Sequence, residues 1–433
     1  MERICIEKGK ILGRVKPMHC VNNFPQLGTG LDATFAALKV PYSRLHDTTS
    51  LNPHLVDVHA VFPDFDRDPS DPEAYDFAFT DWCLRRLHDA GIQPFYRLGA
   101  SIENYHAIKP YHIFPPKDAK KWARICEYIV AHYNEGWNKG FRWGIQYWEI
   151  WNEPDNDPDP ANNAMWKGRF SEYLRLYEIT ANHLKKRFPE IKVGGYASCG
   201  FYSILRQDAA AQANVSSRTD YFLTCAEEFL RYISSEEHRA PLDFFSWHSY
   251  SDVYANVAYA RYARELLDRY GFLQTESNLN EWNPGIQYRG TLRDASNICA
   301  NMLALQNEPL DMLMYYDCRV ISVYCGLFDP VGQKPFPAYY VFAAFSELYR
   351  LGQTTALSGA SRGLFACSAT DGTRGLLLLT NASDAEKEIE CCGADFVSFK
   401  KLTEGDGGFV PVQVCGNRLT LQPYDVALAE YRA

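Results

Sequence analysis

The sequence lacks long apolar runs and basic runs, and these absences exclude two large classes of protein. No stretch of its 433 residues approaches the roughly 20 uninterrupted apolar residues of a membrane helix, so we expect no membrane partner. Lys and Arg number 44 against 53 Asp and Glu, for a net charge of −9. Without a run of basic side chains to neutralise phosphates, a nucleic-acid partner is not expected either.

Signatures of metal binding, disulfides and secretion are also missing. The sequence has no HExxH motif and no histidine and cysteine cluster at zinc spacing, so we expect no catalytic metal and no cofactor. Its 13 cysteines, from Cys5 to Cys415, include no CxxC pair, and charged residues interrupt the N-terminal apolar runs. These features predict a cytoplasmic protein with free, mostly buried thiols, although removal of a leader would leave the same chain.

What the sequence does contain is an alternation of short β-branched or aromatic runs with longer segments of helical spacing, from about residue 15 to 350. This alternation predicts a parallel sheet with crossover helices. Helices are expected near 76–90, 118–138, 168–188, 221–234, 256–270, 292–307 and 337–350. Eight strands are expected, and eight is the closure number of the (β/α)8 TIM barrel. They are 15–23, 40–47, 92–99, 145–153, 191–196, 243–250, 272–282 and 311–317.

After Leu351 the pattern changes to short alternating runs separated by Gly, Asp and Asn. Such runs predict a small β-sandwich. We therefore expect an α/β fold with a catalytic barrel over residues 13–350 and an accessory β-sandwich over residues 351–433. Residues 1–12 are also strand-like and could join the accessory unit.

Polar and aromatic side chains collect at the C-terminal ends of the predicted strands. Barrel enzymes place their catalytic groups there, because those ends open onto the pocket. Two of these residues are glutamates: Glu153 ends the fourth strand, in YWEIWNEPDN, and Glu281 ends the seventh, in LNEWN. The remaining candidates are predicted to bind substrate, and they are His46, Asp47, Arg97, Asn152, His248, Tyr250, Trp282 and Tyr316.

Each candidate also has a purely structural interpretation. The histidines could be core residues with satisfied hydrogen bonds. Glu153 could be the acidic first turn of a helix, where a carboxylate favours the positive end of the helix dipole. Glu281 could form a structural ion pair with Arg97 or Arg293. The convergence of these groups on one face of the barrel favours a functional site over these alternatives.

Two glutamates on one barrel face suit the cleavage of a glycosidic bond, which needs one carboxylic acid and a second carboxylate. Burial among aromatic rings would raise the pKa of Glu153, as an acid requires. The nucleophile Glu281 must stay ionised, which needs nearby donors, and the candidates are Arg97, His248 and Tyr250. Aromatic residues make up 14% of the chain, and their planes could stack on the apolar faces of a sugar.

The seventh strand contains a second glutamate, Glu276, five residues before Glu281. Side chains alternate along a regular strand, so this odd spacing puts the two on opposite faces and predicts that only one of them points into the barrel pocket. The residues adjoining Glu281 favour it as the pocket glutamate. Glu103, in the segment SIEN, is interpreted as a loop or supporting carboxylate, and Glu149 as a strand residue with no assigned chemistry.

Several motifs resemble those of a known family. WEIWNEPD resembles the fourth-strand acid/base motif of clan A glycoside hydrolases, and LNEWN resembles their seventh-strand nucleophile motif. Within that clan, YSRLHD, RLGASIEN, FSWHSY and KPFPAYYVFAAF resemble glycoside hydrolase family 39, which contains β-xylosidases and α-L-iduronidases. The resemblance covers about residues 15–350.

The resemblance implies a retaining exo-glycosidase acting on β-xylosides or related glycosides in an oligosaccharide or glycoside substrate. Glu153 would be the general acid/base and Glu281 the nucleophile that forms a covalent glycosyl-enzyme. Asn152 would contact the sugar 2-hydroxyl. The other implied contacts are His248, Tyr250 and Trp282 in the same subsite, and His46 and Asp47 on distal hydroxyls.

Several alternatives stay open at this point. An α-L-iduronidase-like enzyme would need a basic partner for its substrate's carboxylate, and Arg97 or Arg319 could serve. An arabinosidase-like or other clan A specificity is a further possibility. A non-catalytic sugar-binding barrel would need neither glutamate, and a barrel aldolase or isomerase would need a pocket lysine or a metal cluster that the sequence does not indicate. A homo-oligomer is compatible with the sequence.

Overall fold

The computed structural model describes residues 1–25, 30–47, 56–101, 112–208, 215–404 and 408–433. Strand β1 (Glu2–Arg14) precedes eight parallel strands that close into a barrel in chain order, which confirms the predicted TIM barrel. The barrel strands are β2 (Cys20–Asn22), β3 (Tyr42–Leu45), β4 (Gln93–Leu98), β5 (Tyr147–Ile150), β6 (Lys192–Ser198), β7 (Phe244–Ser249), β8 (Glu276–Trp282) and β9 (Met312–Tyr315).

Nine α-helices lie within the described residues, and side-chain caps on backbone N–H groups explain several of their starts. Asp118, Ser216, Asp252 and Thr291 each accept such a hydrogen bond. None of these helices is both long enough and apolar enough to cross a membrane. The helices are α1 (Asp32–Ala37), α2 (Val58–Val61), α3 (Ala78–Asp89), α4 (Ala119–Asn134), α5 (Phe170–Arg187), α6 (Ser217–Ser234), α7 (Val253–Arg269), α8 (Leu292–Leu305) and α9 (Pro337–Leu351). Three short 3₁₀ helices are Pro72–Ala74, Trp137–Lys139 and Tyr202–Leu205.

The interior of the barrel is apolar at its N-terminal end and polar above it. Alternation along each strand sends every second side chain inward. The lower layer is a separate apolar cluster of Cys20, Phe95, Tyr147, Phe244, Met312 and Met314. The layer above it contains Arg44, Glu149 and Asn280, which are fully buried, and both Arg44 and Asn280 donate hydrogen bonds to Glu149. The interior therefore becomes polar toward the strand ends where the candidate site lies.

Strand β8 departs from regular alternation. Its pairing with β7 skips Asn280, which is an extra residue in β8. Such a bulge shifts the alternation by one position. Glu276, the first residue of β8, lies at the N-terminal end of the barrel, where Tyr147 Oη donates to it at 2.9 Å, while Glu281 lies inside the C-terminal end. Only Glu281 therefore lies at the pocket end, which agrees with the choice made from the sequence, but the regular alternation assumed for that choice does not hold across the bulge.

The strands after the barrel are β10 (Gln353–Ser358), β11 (Leu364–Thr370), β12 (Arg374–Asn381), β13 (Lys387–Cys392), β14 (Asp395–Leu402), β15 (Phe409–Pro411), β16 (Arg418–Leu421) and β17 (Val426–Arg432). With β1 they form the accessory β structure, a mixed sheet of nine strands in the order β15-β14-β17-β12-β11-β10-β1-β13-β16. Residues 1–12 do join it, since β1 pairs with β10 and β13. Ile389 of β13 and Phe399 of β14 share one apolar cluster although their strands lie near opposite ends of the sheet, so the sheet curls over its own core. The domain boundaries stay a prediction.

One pair of cysteines departs from the predicted free thiols. Cys5 of β1 is directly opposite Cys392 of β13, with Cα atoms 4.4 Å apart, and the two form a disulfide. No local pattern indicates this pairing, because 387 positions separate the two residues. The other cysteines are free and buried apart from the exposed Cys415, as expected.

The start of α8 contains a buried carboxylate. Asp294 is 3% exposed and accepts a hydrogen bond from Gly290 N at 3.2 Å. Burial raises the pKa of Asp294 to about 7, because one backbone donor and the charge of Arg289 compensate only part of the lost hydration.

We predict that Asp294→Asn stabilises the protein at pH 8 and has little effect at pH 4. With its pKa raised, folded Asp294 holds a proton that the unfolded chain releases, so the wild-type chain loses stability as pH rises from about 4 to about 7. A shift of this size corresponds to on the order of 4 kcal/mol. Urea unfolding at pH 4, 6 and 8 would measure it, with the exposed Asp66→Asn as control. A difference between variant and wild type that does not change with pH would contradict this account.

Candidate active site

Arg44, in the middle of β3, connects the ends of several strands across the barrel. Its guanidinium is fully buried and donates four hydrogen bonds, one of them from Nη1 to Asn22 Oδ1 at 3.3 Å. Nε donates to Glu149 at 2.8 Å, Nη1 to Glu281 at 3.0 Å, and Nη2 to Asn152 at 2.5 Å. Buried charges of this kind need partners of opposite sign. Arg44 therefore fixes the Glu281 carboxylate of β8 and the Asn152 side chain, which follows β5, next to each other.

Glu281 is surrounded by donors, as an ionised carboxylate requires. Its side chain is 8% exposed. Tyr250 Oη donates to Oε1 at 2.7 Å, and Arg44 donates to Oε2. Two imidazoles face the same oxygen, with His46 Nε2 at 3.5 Å and His248 Nε2 at 3.7 Å. Four of these five residues were predicted from the strand ends, and the structure brings them together.

Glu153 leaves its strand in an unusual backbone conformation. Its φ is 47° and that of Trp151 is 78°, in the left-handed region that residues with a side chain rarely adopt. Space for this path comes from Gly99 at the end of the preceding strand, where a Cβ would lie 2.7 Å from the Trp151 ring. Unusual backbone of this kind is concentrated at functional sites.

Asp155 holds the segment after Glu153 against β6. Its carboxylate is fully buried and accepts hydrogen bonds from Ser198 Oγ at 3.0 Å and Cys199 N at 3.2 Å. Turns continue from here until α5 begins at Phe170. The alternative that Glu153 belongs to the first turn of a helix therefore does not apply.

Glu153 and His248 form a close pair. His248 Nδ1 lies 2.7 Å from Oε1 of Glu153, and Asn156 Nδ2 donates to Oε2 at 3.0 Å. Burial opposes the charge on Glu153, but the hydrogen bond and charge of His248 outweigh it and lower the pKa of Glu153. The pKa of His248 is raised despite burial, because Glu281 and Glu153 both face it. The predicted upward shift of the Glu153 pKa is therefore wrong, and the two shifts favour a proton on His248 over one on Glu153.

The two glutamates lie close enough to act on one bond. One carboxylate oxygen of Glu153, one of Glu281 and a nitrogen of His248 all lie within 4.8 Å of one another. Retaining glycosidases place their two carboxyl groups about 5 to 5.5 Å apart, whereas inverting enzymes need about 6.5 to 9.5 Å to admit a water. The spacing fits the retaining arrangement.

Two clusters of described residues have ligand atoms close enough to reach a cation, and in each of them a carboxylate is already paired with an arginine. Arg44 pairs with Glu281 in the first cluster, and Arg97 Nη2 lies 2.7 Å from Asp57 in the second. A fixed positive charge at that distance opposes the binding of a metal ion. The prediction of no catalytic metal stays a prediction. The clusters are Glu153, His248 and Glu281, and Asp57, His59 and His112.

A second charged group lies at the ends of β3 and β9. Tyr316 Oη donates to Asp47 Oδ2 at 2.8 Å. Arg319 Nη2 lies 2.5 Å from the same oxygen and 2.9 Å from Asp317 Oδ2. Burial raises the pKa of both aspartates, since a single arginine compensates the two carboxylates only in part. Arg319 is thus already neutralised within the protein.

Two predicted residues do not contribute to this site as expected. Arg97 was a candidate donor to Glu281, but its Nη2 donates to Asp57 at 2.7 Å and to the His46 carbonyl at 3.1 Å. Trp282 was expected to line the sugar subsite, but it is fully buried in the apolar core. The β8 bulge explains this placement, because it turns Glu281 inward and so directs its neighbour outward.

Three residues of the site were missed from the sequence. Arg44 and Glu149 lie inside strands, whereas the predicted site residues lie mainly at strand ends. Alternation from the predicted His46 would have found Arg44 two positions earlier. Tyr324 follows β9 in an irregular loop, where its ring lies 5.5 Å from Tyr250. Glu103 lies outside the described residues.

Comparison with known proteins agrees with this geometry. The model of the glycosyl hydrolases family 39 matches residues 22–284, which is more than half of the chain. The chain belongs to glycosyl hydrolases family 39. A β-xylosidase of Geobacillus stearothermophilus is 29% identical over 188 residues, covering 41% of this chain and 31% of that protein. A β-xylosidase of Caldicellulosiruptor saccharolyticus is 25% identical over 289 residues, covering 61% of this chain and 51% of that protein.

Solved structures share the fold of this family 39 chain. A glucosidase from Croceicoccus marinus superposes with a TM-score of 0.75 at 19% identity, covering 100% of this chain and 99% of that one. At that identity the likeness shows a common fold. The chain spans a third to a half of the length of the two β-xylosidases that it matches.

We predict that Arg44→Leu destabilises the protein by about 3–5 kcal/mol, because it leaves buried carboxylates without their counter-charge. Denaturant unfolding at pH 7 would measure the loss. Arg350→Ala is the matched control. Its ion pair with Glu347 is largely exposed, so we expect a loss below about 1 kcal/mol. Equal losses of unfolding free energy in the two variants would show that the buried ion pairs stabilise the protein no more than the exposed pair does.

Proposed function

We propose that this chain is a retaining exo-acting glycosidase that cleaves β-xylosides or related uncharged glycosides. The observation that carries the proposal is the pair of facing carboxylates of Glu153 and Glu281, with oxygens within 4.8 Å. Membership of family 39 and the two β-xylosidase relatives support the substrate class. The nearly complete burial of Glu281 suits a terminal sugar better than the middle of a chain.

In the first step Glu281 attacks the anomeric carbon and forms a glycosyl ester, while the bond to the leaving oxygen breaks. Glu153 gives that oxygen a proton, which His248 Nδ1 supplies across the 2.7 Å hydrogen bond. In the second step Glu153 takes a proton from water and returns it to His248 Nδ1, while the resulting hydroxide attacks the same carbon and the ester bond to Glu281 breaks. Two inversions at one carbon give net retention.

The surrounding polar groups would bind the sugar hydroxyls. Asn152 is oriented by Arg44 and would contact the 2-hydroxyl. His46 and Asp47 would hold distal hydroxyls. Tyr250 and Tyr316 would line the same subsite, since their rings lie 6.4 Å apart beside Glu281. A donor that contacts the 2-hydroxyl contributes most if its hydrogen bond strengthens in the transition state.

The charge distribution argues against an iduronidase-like specificity. A uronic acid would need a cation free to bind its carboxylate. Arg97 is paired with Asp57, and Arg319 lies between Asp47 and Asp317. An added carboxylate would face these aspartates as well as the arginine. The alternative of a non-catalytic binding barrel leaves the close spacing of two glutamates without a purpose.

We expect Glu281→Ala to lower kcat by at least about 10³-fold on the best substrate of a nitrophenyl glycoside panel. Glu153→Ala should lower it least for substrates with acidic leaving groups, which need little protonation. Glu276→Gln is the matched control, because this glutamate of the same strand lies at the far end of the barrel. Unchanged rates in the first two variants would disprove the assignment. Highest activity on a uronide would instead support the iduronidase-like alternative.

The proton of the Glu153–His248 pair predicts the alkaline side of the pH profile. A raised pKa keeps His248 protonated above its ordinary 6.5, and its proton is needed for leaving-group departure. We expect kcat/KM for a poor leaving group to persist at pH 6.5 and to fall at higher pH as this proton is lost. Initial rates from pH 4 to 9 would measure this. An acidic leaving group should show a smaller fall, and loss of activity well below pH 6.5 would contradict the assignment.

A further inference from the structure

Glu149 is a buried carboxylate that the proposed mechanism does not use. It is fully buried in β5, one layer below the two reacting glutamates. Three donors from three other strands point at it. Arg44 Nε donates to Oε2 at 2.8 Å, while Ser246 Oγ and Asn280 Nδ2 donate to Oε1 at 2.6 Å each. An ionised carboxylate is the group that such a set of donors stabilises.

Arg44 therefore has two carboxylate partners, on different nitrogens of one guanidinium. Nε faces Glu149 and Nη1 faces Glu281. Only one of the two partners is placed to react. Glu149 points down toward the donors of β7 and β8, and Glu281 points to the open end beside Glu153 and His248.

The two partners become unequal when the reaction proceeds. Formation of a glycosyl ester turns Glu281 from an anion into a neutral group, so Arg44 loses one of its counter-charges at that moment. An arginine buried to this degree without any anion would be strongly unfavourable. Glu149 keeps its charge and its hydrogen bond to Arg44 throughout, so the guanidinium stays paired in the intermediate.

We propose that Glu149 is a positioning residue that acts through Arg44. It keeps the charge of Arg44 compensated while Glu281 is esterified. It thereby speeds the glycosylation step and has little effect on substrate binding. It also aims Arg44, because Nε is fixed by Glu149 and Nη2 by Asn152, which leaves Nη1 directed at Glu281. This inference rests on the proposed two-step mechanism.

Glu149→Gln tests this role, because it removes the charge and keeps the size. The readout is the inactivation of the full chain by a 2-deoxy-2-fluoro glycoside of the preferred sugar, which isolates formation of the ester. We expect the maximal inactivation rate to fall about 10- to 100-fold, while the half-saturating concentration changes less than about threefold. Circular dichroism and thermal unfolding would establish that the variant is folded.

Three further variants separate charge from structure. Glu276→Gln makes the same substitution at the other end of the barrel and should leave the inactivation rate unchanged. Ser246→Ala removes one hydrogen bond from Glu149 but not its charge, so we expect a change below about threefold. Glu149→Asp restores the charge on a shorter side chain and should bring the rate to within about tenfold of wild type.

The outcomes distinguish this inference from the proposed function. If the wild-type chain is not labelled on Glu281, the mechanism itself fails. If it is labelled, but Glu149→Gln is inactivated at the wild-type rate or only its half-saturating concentration changes, the role of Glu149 is overturned while the mechanism stands. Should Glu149→Gln not fold, Glu149→Asp decides alone, and a loss of about 100-fold or more despite the retained charge would overturn the inference.

Discussion

The ion pairs of Arg44 inside the barrel are the interaction on which the rest of the site depends. One guanidinium meets carboxylates of β5 and β8 and the amide of Asn152. Removing three charges from water is unfavourable unless each finds a partner, so the arrangement tolerates little displacement. The barrel supplies the required rigidity, because neighbouring strands fix the Cα positions from which these side chains extend.

The pair of Glu153 and His248 changes how proton transfer at this site is understood. A proton donor is usually thought to need a raised pKa of its own, supplied by apolar surroundings. Here the neighbouring imidazole takes the proton, since two carboxylates attract it from both sides. In the proposed mechanism, the ability of Glu153 to donate a proton is then a property of the pair rather than of one side chain.

The sequence was sufficient for the barrel and for the ends of its strands, because both follow from local patterns. Apolar periodicity located all eight strands, and the dipeptide of Asn152 and Glu153 indicated where the candidate active site lies. Features that depend on register or distance were not visible. Because of the β8 bulge, Trp282 points outward instead of into the pocket. Arg44 lies inside a strand, away from the strand ends where the site was predicted. Cys392 pairs with Cys5, which lies almost the whole chain away.

The position of β1 between β10 and β13 has a consequence for the order of folding. Strand β1 finds its partners only after about 340 further residues have been made. The eight barrel strands need no such delay, since each pairs with the next along the chain and only the last must return to the first. The barrel can therefore form during synthesis while β1 waits with unpaired edges, and such edges bind other chains readily. Holdase chaperones that shield β1 would then matter more for yield than for the final stability of the protein.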